Sequence, residues 1–271
     1  MKINQDNQFD EQDTPEQSTK LQNIVNEQLV LHHNYTQEDI LNIYVFGSRL
    51  YGSASADSDY DIMAIIRDDS FDRLVFRKTE STPTLSKDAN LRKTGFLQSI
   101  VDGIKIDVTT YSKSYFVQKM NLYNIYEMSA IWIPNKFKLQ EKFNLIDEWA
   151  DKDSDGIPEI RIGSLRNKIS TQCQDVWKMS KKWFHDAVKD GNIKTEDLYK
   201  AKKGFVASLR IYKFATQIAL QGKIVDWACA SEYSSHPWVK DQNMICFDEF
   251  YSHFNTIKIK LHEQFRVAAP K

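Results

Sequence analysis

The chain has 271 residues, 41% hydrophobic and 27% charged, an ordinary balance for a globular protein with one large or two modest cores. No apolar run approaches the roughly 20 residues that cross a bilayer, and no secretory h-region opens the chain, so no membrane segment is expected. Cys173, Cys229 and Cys246 are odd in number and form no C-x-x-C; they read as reduced thiols, and the expected location is cytoplasmic.

A net charge of −1 conceals an asymmetry. Residues 161–223 hold 14 Lys/Arg against 5 Asp/Glu, whereas residues 1–159 hold 17 against 26. A phosphate-binding surface and a pair of solvated helix faces both fit the basic stretch.

Residues 1–19 are polar and Gln/Asn-rich, the composition of a disordered leader. A helix is expected over Lys20–His33, then a short strand over Leu41–Phe46 that stops at Gly47. A second strand is expected over Asp59–Ile66. Residues 67–94 are charged, turn-rich and broken by Pro83, which suggests a surface excursion. Phe96–Val101 and Ile104–Thr110 flank Asp102-Gly103, the signature of a two-residue hairpin turn. Mixed helical pattern follows to Trp149, and Asp151–Ile157 is the expected domain boundary. Beyond it, Ser164 is a candidate cap for a helix to Gly191, Thr195 for another ending at Gly222, and a last helix is expected over Phe247–Phe265. The fold class is therefore α+β: a small mixed or antiparallel sheet domain over 20–150, then a helical domain over 151–271.

The segment richest in chemistry is VFGSRLYGSASADSDYDIMAII, residues 45–66. Gly47-Ser48 follows a strand and is expected to open a helix, where converging backbone N–H groups and the Ser48 hydroxyl favour an anion. Asp59 and Asp61, two apart on a strand, project to one face. Paired carboxylates repel one another but suit a hard cation with oxygen ligands, Mg²⁺ above all. Asp107, between Ile106 and Val108, is the best candidate for a third carboxylate; its alternative reading is an edge-strand surface residue.

Gly47, Ser48, Asp59, Asp61 and Asp107, in this order and context, resemble the signature of the DNA polymerase beta-like nucleotidyltransferase superfamily. Ser48-Arg-Leu-Tyr-Gly52 with Ser58-Asp-Tyr-Asp61, and Lys202-Lys203-Gly-Phe-Val-Ala-Ser-Leu-Arg210 running on to Gly222, look like a branch associated with RNA repair. The resemblance covers roughly residues 41–66, 100–112 and 200–226. It implies transfer of a nucleoside monophosphate from an NTP, ATP being the expected one, to a hydroxyl. Two Mg²⁺ ions, or Mn²⁺ in their place, would be held by Asp59, Asp61 and Asp107. Gly47, Ser48 and Arg49 would contact the triphosphate, with Lys203 and Arg210 screening its charge; Gln217 shares their seven-residue spacing. The implied acceptor is an RNA or tRNA 3′ end, with no obligate protein partner evident. Adenylylation of a small molecule or protein is the alternative within enzymes, and a non-catalytic nucleotide- or RNA-binding protein the alternative outside them.

Other signals are weaker. Asp151, Asp153, Asp155 and Gly156 imitate the start of a calcium loop, but Ile162 stands where the loop needs Glu and Pro158 intrudes, so a solvated linker is the preferred reading. The six histidines show no ligand spacing. Trp177, Trp183 and Phe184 suit base stacking or, more simply, a helix core. There is no P-loop and no dinucleotide fingerprint.

Overall fold

Two apolar runs, Ile40–Phe46 (β1) and Tyr60–Ile66 (β2), are buried along almost their whole length, which places them in the middle of a sheet rather than at its edge. The computed structural model describes residues 15–75, 94–154, 159–189 and 193–270. Thr94–Val101 (β3) and Ile104–Ser112 (β4) form the expected hairpin, and Lys138–Glu141 (β5) completes a five-stranded sheet in the order β3-β4-β2-β1-β5. The sheet is mixed: β2 and β4 run parallel, and every other pair is antiparallel.

Asp102 and Gly103 both have positive φ, 51° and 77°, as a type I′ hairpin turn demands. The turn pairs Val101 with Ile104, and the register of the whole hairpin follows. Along β4 the residues alternate, with Ile106, Val108, Thr110 and Ser112 buried and those between them half-exposed. Helix α1 (Pro15–His33) lies on the buried side, where Gln28 Oε1 accepts a hydrogen bond from Ser99 Oγ at 2.7 Å. This helix begins at Pro15, not Lys20, so the last five residues of the expected leader are helical. Residues 1–14 lie outside the described residues.

Two differences from the expected elements have clear causes. Asp68–Val75 is a helix (α3) inside the expected excursion, with Asp68 and Asp69 in its first turn; residues 76–93 lie outside the described residues. Strand β5 is only four residues long, too short to show a period of two. What holds the chain beyond it is Asn42, fully buried on β1: its Nδ2 donates to Tyr44 Oη at 2.7 Å and to the Phe143 carbonyl at 2.9 Å, and its Oδ1 accepts from Lys142 and Phe143 N–H.

The chain divides into two compact units that interleave. The sheet unit takes the residues through Phe116 and also Ile133–Asn144, which carries β5. The other takes Val117–Trp132 and the residues from Leu145 onward, whereas the sequence suggests a single boundary at 150. Lys113–Asn121 (α4) spans the first crossing, and Ile125–Ser129 (α5) belongs to the second unit.

Within the second unit, helix α6 (Ile162–Ala187) buries Leu165, Ile169, Cys173, Trp177, Ser180, Phe184 and Ala187, one stripe at spacings of three and four. It packs on α7 (Thr195–Gln221) so closely at Gly204 that a Cβ there would stand 2.2 Å from Ser180 Oγ. After two short helices, Ser231–Ser234 (α8) and Pro237–Lys240 (α9), comes α10 (Phe247–Ala268). Phe250 of α10 meets Phe184 and Phe205 at 5.5 and 5.4 Å between ring centroids. Trp177 and Phe184 are therefore core residues, while Trp183 is exposed.

The caps differ in detail. Arg161 and Lys194 occupy the N-cap positions, so Ser164 and Thr195 fall inside their helices, and α6 ends at Ala187 rather than Gly191. Gly222 ends α7 in the left-handed conformation, φ 70°, with its N–H on the Ile218 carbonyl. All three cysteines are unpaired thiols. No helix among the described residues is long and apolar enough to cross a membrane.

Candidate active site

Register decides which carboxylates share a face. In the parallel pair Asp61 stands opposite Asp107, and in the neighbouring hairpin Asp107 stands opposite Gln98. Paired residues on adjacent strands point to the same side, so Gln98, Asp107 and Asp61 form one row across three strands spaced about 4.8 Å apart. The row continues to Phe46, the partner of Asp61 on β1, and the next residue is Gly47.

Gly47 is glycine for two reasons. Its φ is +68°, and a Cβ built on it would lie 1.7 Å from Asp61 Oδ2. The Asp61 carboxylate thus sits directly against the glycine backbone. The helix opened here is one turn, Gly47–Leu50 (α2), too short for the dipole of a long helix; only local backbone N–H groups are on offer to an anion. Ser48 is half-buried, and its carbonyl accepts from Ser53 N–H at 2.9 Å.

Asp59 is exposed and lies just outside β2, which begins at Tyr60. Asp61 and Asp107 are brought into one row, but a gathered set of three is not formed: among the described residues no group of three or more His, Cys, Asp or Glu is placed to hold a metal ion. The donor chemistry of the row still fits a hard divalent cation, since two oxygen-bearing side chains share a face beside a backbone turn. Asp59 would have to turn in to make a third ligand.

Asp107 is not an edge-strand surface residue, because β3 lies outside it. Gln98 Nε2 donates to both of its carboxylate oxygens, each at 3.1 Å. Gln98 is absent from the candidates named above, yet the turn points to it: three steps outward from the Val101–Ile104 pair the hairpin reaches Gln98–Asp107.

Arg49 is committed locally. Its Nη2 donates to the Ser58 carbonyl at 2.7 Å, and its guanidinium carbon lies 3.7 Å from the Tyr60 ring centroid. The side chain thereby ties α2 to the start of β2.

The expected cations of α7 belong to the second unit. Lys203 is exposed, its Nζ 5.3 Å from the Tyr199 ring. Arg210 is half-buried, with Nη2 3.5 Å from Ser234 Oγ. Gln217 does not extend a cationic stripe: its Oε1 accepts from Val225 and Asp226 N–H and its Nε2 donates to the Asp226 carbonyl, which closes the loop after Gly222. Lys202 is buried, donates to the Asp241 carbonyl at 2.7 Å, and has its pKa lowered by that burial. Asp151, first of the calcium-like run, is paired with Arg161 and accepts from Tyr123 Oη; Asp155 and Gly156 lie outside the described residues.

Residues 31–132 match the family model of the nucleotidyltransferase domain. That stretch contains Gly47, Ser48, Asp59, Asp61, Gln98 and Asp107, and excludes Lys203 and Arg210. No curated protein matches the chain. Among solved structures it is similar to a nucleotidyltransferase-like protein from Exiguobacterium sibiricum 255-15, at 10% identity and a TM-score of 0.31, over 91% of this chain and 75% of that one. Residues 31–132 are thus similar to a nucleotidyltransferase domain, and they hold β1 to β4 of the mixed sheet, with Asp61 and Asp107 in register near the Gly47 turn.

Proposed function

We propose that the protein is a metal-dependent enzyme that moves a nucleoside monophosphate from an NTP to a hydroxyl, releasing pyrophosphate, with an RNA 3′ end as acceptor. The observation that carries the reading is the matched register of Asp61 and Asp107 on one face, with Asp61 lodged against Gly47. Asp61 and Asp107, joined by Asp59, would hold Mg²⁺, which when bound supplies Lewis acidity toward the α-phosphorus and offsets the charge of the departing pyrophosphate.

The chain's own groups have separate tasks. Gly47 leaves room for phosphate oxygens to approach the backbone, and the Ser48 hydroxyl donates to one of them. Asp107 accepts the proton of the attacking hydroxyl, and the Gln98 amide fixes the orientation of that carboxylate. Arg49 keeps the segment bearing Asp59 close to the turn. Lys203 and Arg210 are proposed as further cations for the nucleotide, to be tested by substitution and the KM for NTP.

The RNA acceptor rests on the likeness of Ser48–Gly52, Ser58–Asp61 and Lys202–Arg210 to RNA-repair enzymes. Incubating the protein with Mg²⁺, each labelled NTP, and RNA, aminoglycoside or protein acceptors tests it. Label appearing on RNA is the expected result; label on a small molecule or protein replaces the acceptor, and nucleotide binding without transfer to anything refutes the enzyme reading.

A further inference from the structure

A cleft of about 470 Å³ opens within the sheet unit between α1, the residues leading into β2 and the β3–β4 hairpin. Its volume falls in the range of small-ligand sites, roughly 300–1,000 Å³. Lys20, Arg49 and Lys105 line it from three separate elements, together with Ser58, Tyr60 and Asp57. Three cations against one carboxylate make it electropositive. Lys20 also pairs with the exposed Asp102 at 3.4 Å, a contact too open to water to cancel its charge. Lys105 is exposed. The Arg49 Nε–H is buried and has no hydrogen-bond partner among the described residues, although its Nη2 and the face of its guanidinium are engaged. A buried donor of that kind invites an acceptor.

The cleft lies at the end of the sheet where β2 and β4 begin, with α1 and Tyr60 on the face opposite the Asp61–Asp107 row. Ser58 and Tyr60, both lining it, bracket Asp59, and Lys105 stands two residues before Asp107 on β4. The geometry points to a second phosphate subsite, distinct from the Gly47–Ser48 turn, that receives a backbone phosphate of the acceptor strand. This rests on the nucleotidyl-transfer reading for the identity of its ligand. A reaction joining an NTP to a nucleic acid brings two polyanions to one place, and the Gly47–Ser48 turn accounts for only one. Lys20 and Lys105 supply charge for the other, while the Tyr60 ring, braced by Arg49, offers a flat neighbour for a sugar or base.

Binding of a fluorescent trinucleotide with a 3′-hydroxyl, measured without metal or NTP, tests the subsite apart from the chemistry. In Lys20→Ala/Lys105→Ala its affinity should fall by roughly tenfold or more, and the salt dependence should weaken by about 0.7 of a log-log unit per lysine removed. Lys105→Glu, which leaves the Lys20–Asp102 pair intact, should weaken it similarly, with an unchanged thermal midpoint showing that the fold survives. Unaltered trinucleotide affinity in both variants overturns the proposal. So does a loss confined to ATP or inorganic phosphate, which would make the cleft part of the triphosphate site. Trinucleotide binding that depends on these lysines in a protein that transfers nothing would uphold the subsite and refute the enzyme reading instead.

Discussion

Replacing Gly47 by alanine perturbs the site through one added carbon. The backbone at φ +68° alone costs an L-residue about 1–2 kcal/mol. Gly222 provides the control, for its φ is +70° and nothing lies within 4 Å of its added Cβ, so Gly222→Ala carries the conformational cost alone. At Gly47 the new Cβ would meet Asp61 Oδ2 at 1.7 Å, Cγ at 2.4 Å and Cβ at 2.6 Å. Relief requires the carboxylate to retreat by about 2 Å to reach ordinary contact distance. Misplacing a reacting group by about 1 Å costs on the order of 100-fold in rate. Gly47→Ala should therefore unfold at lower denaturant than Gly222→Ala and lose at least about 100-fold in single-turnover nucleotidyl transfer, whereas Gly222→Ala keeps its rate. Equal stability and equal rates in the two variants would show that Gly47 does not abut the working carboxylate.

Glu127 is buried with Oε2 lacking a hydrogen-bond partner, and burial raises its pKa from 4.5 to about 7 against the weaker pull of Lys119 and Lys168. The folded state thus holds this proton more tightly than the unfolded chain, and stability falls as pH rises from 4.5 to about 7, by about 3 kcal/mol in all. Glu127→Gln should be more stable than the parent at pH 8 and equal to it near pH 4; a gap that does not change with pH refutes this. Asn42→Ala leaves the Lys142 and Phe143 backbone groups without their partners and should cost about 3 kcal/mol or more in urea unfolding, with exchange at residues 142–143 accelerated. Gly204→Ala presses on Ser180 and should cost about 1–3 kcal/mol, and adding Ser180→Ala should restore most of it. A double variant no better than the single one would place the strain elsewhere.

The hairpin part of the candidate site is legible because short-range rules dictate it. The Asp102-Gly103 turn sets the hairpin, the hairpin sets the alternation of β4, and alternation puts Asp107 on a polar face. The parallel pairing that brings Asp107 beside Asp61 was not legible, since it is a long-range contact with no local signal. Residue types also concealed their commitments. Residue type alone shows Arg49 as a cation beside Ser48; that its Nη2 is engaged by the Ser58 carbonyl and its face by the Tyr60 ring is not written in the sequence. Of the adjacent pair Lys202-Lys203, charge alone cannot say which is buried; α7 turns Lys202 inward to Asp241 and leaves Lys203 outside. The interleaving at 117–144 leaves no local signal, because β5 is four residues long and Asn42, a polar residue in an apolar run, secures the stretch beyond it.

The most direct measurement is the rate of label transfer from NTP, with Mg²⁺, for Asp61→Asn beside the parent protein. Asparagine keeps the shape against Gly47 but removes the charge. The account predicts a folded variant slowed by about 1,000-fold or more, which is about 4 kcal/mol of lost transition-state stabilisation. An Asp61→Asn protein that transfers nucleotide at the parental rate would contradict it.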